Sequence, residues 1–205
     1  MAFWNRKPED VGPEALERLY ELMKIDEEWS LREPRRYEWW GHRLRQVVEA
    51  GPAVQSEGVV ICRLAARTAM IRNVPLSDRL ELLISTLNAQ AALNAIVLDR
   101  TARTIYLSSH MVLHRETLDW GLSLFMSAVA TQAVEAGILA ELFVSMGFGE
   151  LDESAHPRSG WRPEPDEMLS VVAQVYAPIG REPSRFPPDE FAKIVTDQML
   201  NPDNI

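Results

Sequence analysis

Cysteine is all but missing from this chain. Cys62 stands alone, so no internal disulfide can form and an oxidising compartment offers the fold nothing. Long apolar runs are missing as well: no uninterrupted stretch reaches the roughly 20 residues that span a bilayer. The first residues, Met1-Ala2-Phe3-Trp4-Asn5-Arg6-Lys7, meet charge before a signal-peptide core can form. Together these shortages predict a cytoplasmic protein without a membrane partner. Positive charge is short too, 21 Lys and Arg against 30 Asp and Glu giving a net −9. Nucleic-acid binding needs a positive footprint that releases counterions, so no nucleic acid is expected as a partner.

Catalytic signatures are equally scarce. The four histidines, His42, His110, His114 and His156, are scattered. Only His110 and His114 lie four apart, a spacing that converges on a helix but not on the strand expected there. No metal is expected. Gly147-Phe148-Gly149 lacks the third glycine and the lysine of a phosphate loop and follows a helix. Ser108-Ser109-His110 point to alternating faces of a strand, and no G-x-S-x-G elbow exists. Cys62, among Val60, Ile61 and Leu64, is a buried hydrophobe with a raised pKa rather than a nucleophile. Asp152 and Glu153 fall in a solvated stretch where nothing prepares a carboxyl for acid catalysis. The expectation is a protein that is not an enzyme and carries no cofactor.

What is present is an ordinary globular composition, 46% apolar and 25% charged over 205 residues, enough for one core. Charge is unevenly spread: seven basic against nine acidic residues in 1–36, nine against six in 37–115, and five against fifteen in 116–205. Either the basic centre meets an acidic partner or the acidic C-terminal part folds back over it.

Periodicity sets the element order. Leu16, Leu19, Tyr20 and Met23 follow Pro13 at helical spacing. The stretch 37–48 alternates as one strand, with Trp40, Leu44 and Val48 on one face and Trp39, Arg43 and Arg45 on the other. A second strand within 58–73 carries Cys62, Leu64 and Ala66 opposite Arg63 and Arg67, and the two are expected to pair as an antiparallel hairpin. Ser77 caps a helix with the stripe Leu80, Leu83, Ile84 and Leu87. A second hairpin joins 95–99 to 103–113, with Ile105, Leu107, Met111 and Leu113 facing one way. Thr117 is placed to cap a long helix running to Gly147, with Gly137 as a candidate break. The expected class is α+β: an antiparallel sheet of two hairpins packed against helices in the order α-β-β-α-β-β-α, with two extra C-terminal helices. Residues 1–149 form the domain, the Pro-rich 150–165 an exposed linker, and 166–205 a helical appendage around Met168, Val171, Val175, Phe191 and Ile194. The long helix carries more apolar surface than one sheet face covers, counting Leu118, Leu122, Phe125 and Val129 on one side and Met126, Ile138, Leu142 and Phe143 around it, which predicts a homodimer. Trp39, Arg43, Arg45, Arg63 and Arg67 are expected to share a basic, aromatic-marked face suited to an acidic peptide.

The run Leu82-Leu83-Ile84-Ser85-Thr86-Leu87-Asn88, then Ala95-Ile96-Val97-Leu98-Asp99, then Thr104-Ile105-Tyr106-Leu107 before a long helix, resembles the superfamily of YbjN-like and type III secretion chaperone-like domains. Ile84, Leu87 and Asn88 match its helix ending, Leu98 and Asp99 its strand end, and Ile105 and Leu107 its return strand. Arg100 and Thr101 stand where the superfamily often has a glycine. The resemblance covers roughly 13–147. It implies a small cytoplasmic dimer with a chaperone-like role, binding extended segments of client proteins without ATP or a cofactor. The alternatives are a regulatory or adaptor subunit with one fixed protein partner, or an enzyme without a recognisable motif.

Overall fold

In a computed structural model the described residues are 10–23, 30–40, 44–56, 58–89, 91 and 93–153. Helix α1 (Val11–Met23) is followed by strands β1 (Ser30–Glu33), β2 (Arg36–Trp40), β3 (Arg45–Ala50), β4 (Val54–Ser56) and β5 (Val59–Arg72). Then come α2 (Asp78–Asn88), β6 (Ala95–Asp99), β7 (Thr104–His114), α3 (Leu118–Ser145) and β8 (Glu150–Leu151). The fold is α+β with one antiparallel sheet, ordered β1-β2-β3-β5-β7-β6, with β4 and β8 pairing the two ends of the long β5. Five strands rather than two separate α1 from α2, so the simple two-hairpin order does not hold. The expected C-terminal helices lie outside the described residues.

The largest departure lies at residues 37–48. A continuous strand there would put Trp39 on the face of Arg45. Instead β2 and β3 form a hairpin in which Trp39 pairs with Gln46 and Trp40 with Arg45. Directly opposed residues of an antiparallel pair share a face, so Trp39 joins the Gln46 face and Arg45 the other. Trp39 is only 1% exposed.

All three helices pack on one sheet face. Leu16, Leu19 and Met23 of α1 meet Trp39, Val48, Leu64 and the first half of α3 in one core cluster. Leu80 and Leu83 of α2 meet Ile96, Ile105, Leu107 and the second half of α3 in the other. The alternation read for β5 and β7 agrees: Cys62, Leu64, Ala66, Ile105, Leu107 and Leu113 are buried, whereas Arg63 and Arg67 are exposed. Strands β3 and β5 pair antiparallel, as do β6 and β7.

Local signals account for several ends. The Ser77 hydroxyl accepts from the Leu80 N–H at 3.3 Å, capping α2. The last residue of that helix, Asn88, turns its side-chain amide to the free edge of β6, accepting from the Ile96 N–H at 2.7 Å and donating to the Ile96 carbonyl at 2.8 Å. The amide thus takes the place of a neighbouring strand and blunts an edge open to foreign pairing. Helix α3 runs unbroken through Gly137 and stops at Gly147, whose φ of 78° suits a left-handed C-terminal turn. Thr117 does not cap it by its side chain; its hydroxyl exchanges hydrogen bonds with the His114 backbone at 3.1 and 3.3 Å, closing a 3-10 turn. Glu150 and Leu151, expected in the linker, pair with Arg72 and Ile71 of β5. The rest of that linker, beyond 153, lies outside the described residues.

Two expectations about α3 change. A window within Arg115–Ser145 has mean hydropathy 1.5 and meets the length and composition of a membrane span, although the sequence was expected to hold none; half of that window is buried within the fold. Of the residues cited for a surplus, Leu118, Leu122, Phe125, Val129, Leu142 and Phe143 are buried within the chain, and Met126 and Ile138 are partly buried. What the helix leaves exposed is Trp120 at 61%, Leu124 at 43% and Val144 at 37%.

Candidate functional site

The sheet face opposite the helices carries Arg36, Glu38, Arg45 and Glu49 from β2 and β3, with Trp40, paired with Arg45 and 1% exposed, on the same face rather than with Val48, and Arg63, Ala65 and Arg67 from β5. Strand β7 adds Ser108, His110 and Val112. Alternation and register place them together: Val47 pairs with Arg67, and Ala65 with both Glu49 and His110. Arg67 lies opposite Ser108, and Arg63 opposite Val112.

The arginines divide into two kinds. Arg45 contacts Glu38 at 3.3 Å, Glu38 contacts Arg36 at 2.6 Å, and Arg36 reaches Glu49 at 2.9 Å. That string neutralises itself. Arg63 and Arg67 have no carboxylate partner among the described residues, and Arg67 lies 5.8 Å from the Tyr106 ring centroid, within cation–π range. Between them Ala65 adds only a methyl group, 5% exposed. His110 faces Ala65 from the next strand, with its Nε2 3.1 Å from Ser108 Oγ. Partial burial, reinforced by the positive charge of Arg63 and Arg67, holds the His110 imidazole below its usual pKa. Val112, 56% exposed, adds an apolar edge.

Of the five residues expected to share this face, Arg45, Arg63 and Arg67 do. Trp39 does not: it lies in the core, donating its indole N–H to Gln46 Oε1. Arg43 lies outside the described residues. His110, Ser108 and Val112 belong to the face and were missed, although strand alternation from Arg103 onward held the signal for them.

The core conceals polar residues of a different kind. Gln132, fully buried on α3, accepts from Thr68 Oγ1 at 2.9 Å and from Gln46 Nε2 at 2.9 Å. Its own amide donates to Ser109 Oγ at 2.9 Å. Ser109 in turn donates to Asn94 Oδ1, and the Asn94 amide donates to Glu135 Oε2 at 2.6 Å. Shielding raises the Glu135 pKa, an effect the Asn94 hydrogen bond opposes. With its donors and acceptors matched to one another, this chain reads as a device that sets α3 in register on the sheet.

Two further places were weighed. A cavity of about 360 Å³ between α1 and the β1–β2 hairpin is lined by Tyr20, Arg32, Glu33 and Tyr37 among others. Arg32 is engaged there by Glu17 and stacks 3.7 Å from the Tyr20 ring centroid. The Tyr37 hydroxyl has no hydrogen-bond partner among the described residues, and burial pushes its pKa upward. The Cys62 thiol donates to the Gly51 carbonyl at 3.3 Å, and burial followed by the charge of Asp10 raises its pKa. A thiol so placed is a poor nucleophile. Among the described residues no group of three or more His, Cys, Asp or Glu side chains could hold a metal ion.

Compared with protein-family models, with curated proteins and with solved structures, the chain matches none.

Proposed function

We propose that this protein is a non-enzymatic, chaperone-like binder of extended acidic segments of client proteins, held on the sheet face opposite the helices. The observation that carries this reading is the pair Arg63 and Arg67, two exposed guanidinium groups without carboxylate partners among the described residues, on a face where the neighbouring Arg36 and Arg45 are neutralised. Guanidinium forks suit carboxylates and phosphates, and Val112 supplies apolar contact beside them. The resemblance of 13–147 to YbjN-like and type III secretion chaperone-like domains supports the same role, as does the cytoplasmic placement expected from the single cysteine. Fluorescence anisotropy with a labelled extended peptide of alternating Glu and Val tests it. Binding that weakens steadily as salt rises from 50 to 300 mM is expected, since contacts between exposed charges are screened over about 8 Å at physiological strength. No binding to acidic peptides at low salt would remove the reading.

The working unit is proposed to be a homodimer joined through the outward face of α3. Trp120, Leu124, Ser127 and Thr131 form one helical stripe. The hydroxyls of Ser123, Ser127 and Thr131 donate to carbonyls four residues back at 3.0, 3.2 and 2.9 Å. Such hydroxyls can be dehydrated without stranding their donors. Light scattering should give twice the chain mass at micromolar concentration, and Trp120→Glu should return a monomer. A wild-type monomer at every concentration tested would refute the dimer.

A further inference from the structure

We infer that the cluster of Arg63, Arg67, His110 and Ser108 around Ala65 is a binding site for a phosphoryl dianion, and that the client segment presents it as a phosphorylated residue. The inference rests on the peptide-binding reading for its second half and on the geometry alone for its first.

Arg63 and Arg67 are four residues apart on one face of β5, so their Cα atoms stand about 13 Å apart. Two long side chains can close that span from either side. Ala65 puts only a methyl group between them and is itself 5% exposed, a floor covered by the side chains around it. His110 enters from β7 directly opposite Ala65, and Ser108 stands opposite Arg67. From the far side, β6 offers only Ala95 opposite Ser108 and Val97 opposite Tyr106. Among the described residues, the charged groups around His110 on this face are Arg63 and Arg67 and, across Ala65 on β3, Glu49, whose carboxylate is engaged by Arg36 at 2.9 Å.

Donor count and charge select the ligand class. Each guanidinium presents five N–H donors in a fixed plane, and the hydrogen-bonded Ser108–His110 pair adds one more. A carboxylate has two oxygens and one charge. A phosphomonoester has three terminal oxygens and close to two charges at neutral pH, which match two permanent cations that no carboxylate among the described residues neutralises. A bound dianion would also oppose the burial and the positive charge that together hold the His110 pKa below its usual value, so that pKa should rise as the ligand binds. Free phosphate and a phosphorylated side chain share this chemistry, and the experiment separates them.

The test uses the full chain at pH 7.5 and three peptides identical except for one central position: phosphoserine, serine or glutamate. The phosphoserine peptide should bind at least tenfold tighter than the glutamate peptide. That advantage should vanish in Arg63→Gln and in Arg67→Gln. In parallel, the His110 ring is titrated by NMR with and without 20 mM inorganic phosphate, and its pKa should rise with phosphate in the wild type but not in Arg67→Gln. Equal affinity for the phosphoserine and glutamate peptides, with His110 unmoved by phosphate, overturns the inference and leaves the peptide reading standing. Failure of every peptide with His110 still responding to phosphate keeps the anion site and removes the client reading. Failure of both removes both.

Discussion

Replacing Gln132 by alanine is expected to cost about 3 to 5 kcal/mol, a large part of the stability of a domain this size. The side chain is fully buried on α3, between the two core clusters. Truncation removes its packing and leaves a cavity. It also takes away the acceptor of the Thr68 hydroxyl and a donor to Ser109. A buried hydroxyl left without its partner adds about 1 to 3 kcal/mol to the cost. The loss should appear in urea unfolding followed by tryptophan fluorescence. A loss below about 1 kcal/mol would show that the sheet and α3 are held in register by apolar packing alone, and that the polar chain is dispensable.

The second large effect is on binding rather than stability. Reversing both Arg63 and Arg67 to glutamate replaces two cations that have no carboxylate partner among the described residues by two anions beside Ala65. Affinity for the acidic peptide should fall at least 100-fold, equivalent to about 2.7 kcal/mol. Neither arginine holds a carboxylate in the described fold and both are exposed, so each change should alter stability by no more than about 0.5 kcal/mol. The same reversal at Arg45 should do less, because Glu38 already takes up its charge. Parallel anisotropy and thermal melts separate the two readouts. Equal affinity in the double variant and the wild type would place peptide binding elsewhere; a collapse of the melting temperature would show that these arginines hold the chain together.

How far such features can be read from sequence depends on the range of the interaction that fixes them. Alternation along one strand is local, and the faces of Arg63, Arg67, Cys62, Leu64, Ile105 and Leu113 were legible from it. So were the Ser77 cap and the Gly147 stop, each set by a backbone need within a few residues. Trp39 failed for the opposite reason. Its face depends on whether 37–48 runs straight or folds into a hairpin, and a turn between Trp40 and Arg45 changes which residues share a face without breaking the apolar alternation. Strand β1 went unread because Ser30-Leu31-Arg32-Glu33 has three polar residues and one apolar one, and its pairing with β2 is what makes it a strand. The polar chain through Gln132 joins residues from 46 to 135, and no spacing rule links positions so far apart. A glutamine amid Ala128, Val129, Ala130, Ala133 and Ala136 was still a signal, since an apolar helix face rarely keeps an amide without a partner for it. In the candidate site the two arginines of β5 were legible. Their freedom from carboxylates was not, because it follows from which strands lie beside them.

The central claim is that a client segment lies on the sheet face away from the helices, and a backbone NMR titration tests it most directly. Isotope-labelled protein is titrated with the acidic peptide, and amide shifts are followed along β3, β5, β7 and α3. The account predicts that the largest changes fall at Arg63, Ala65, Arg67, His110 and Val112, while Leu19, Val129 and Gln132 stay nearly still. Changes concentrated around Tyr20 and Arg32, or along Trp120 and Leu124, with β5 and β7 unmoved, would contradict it.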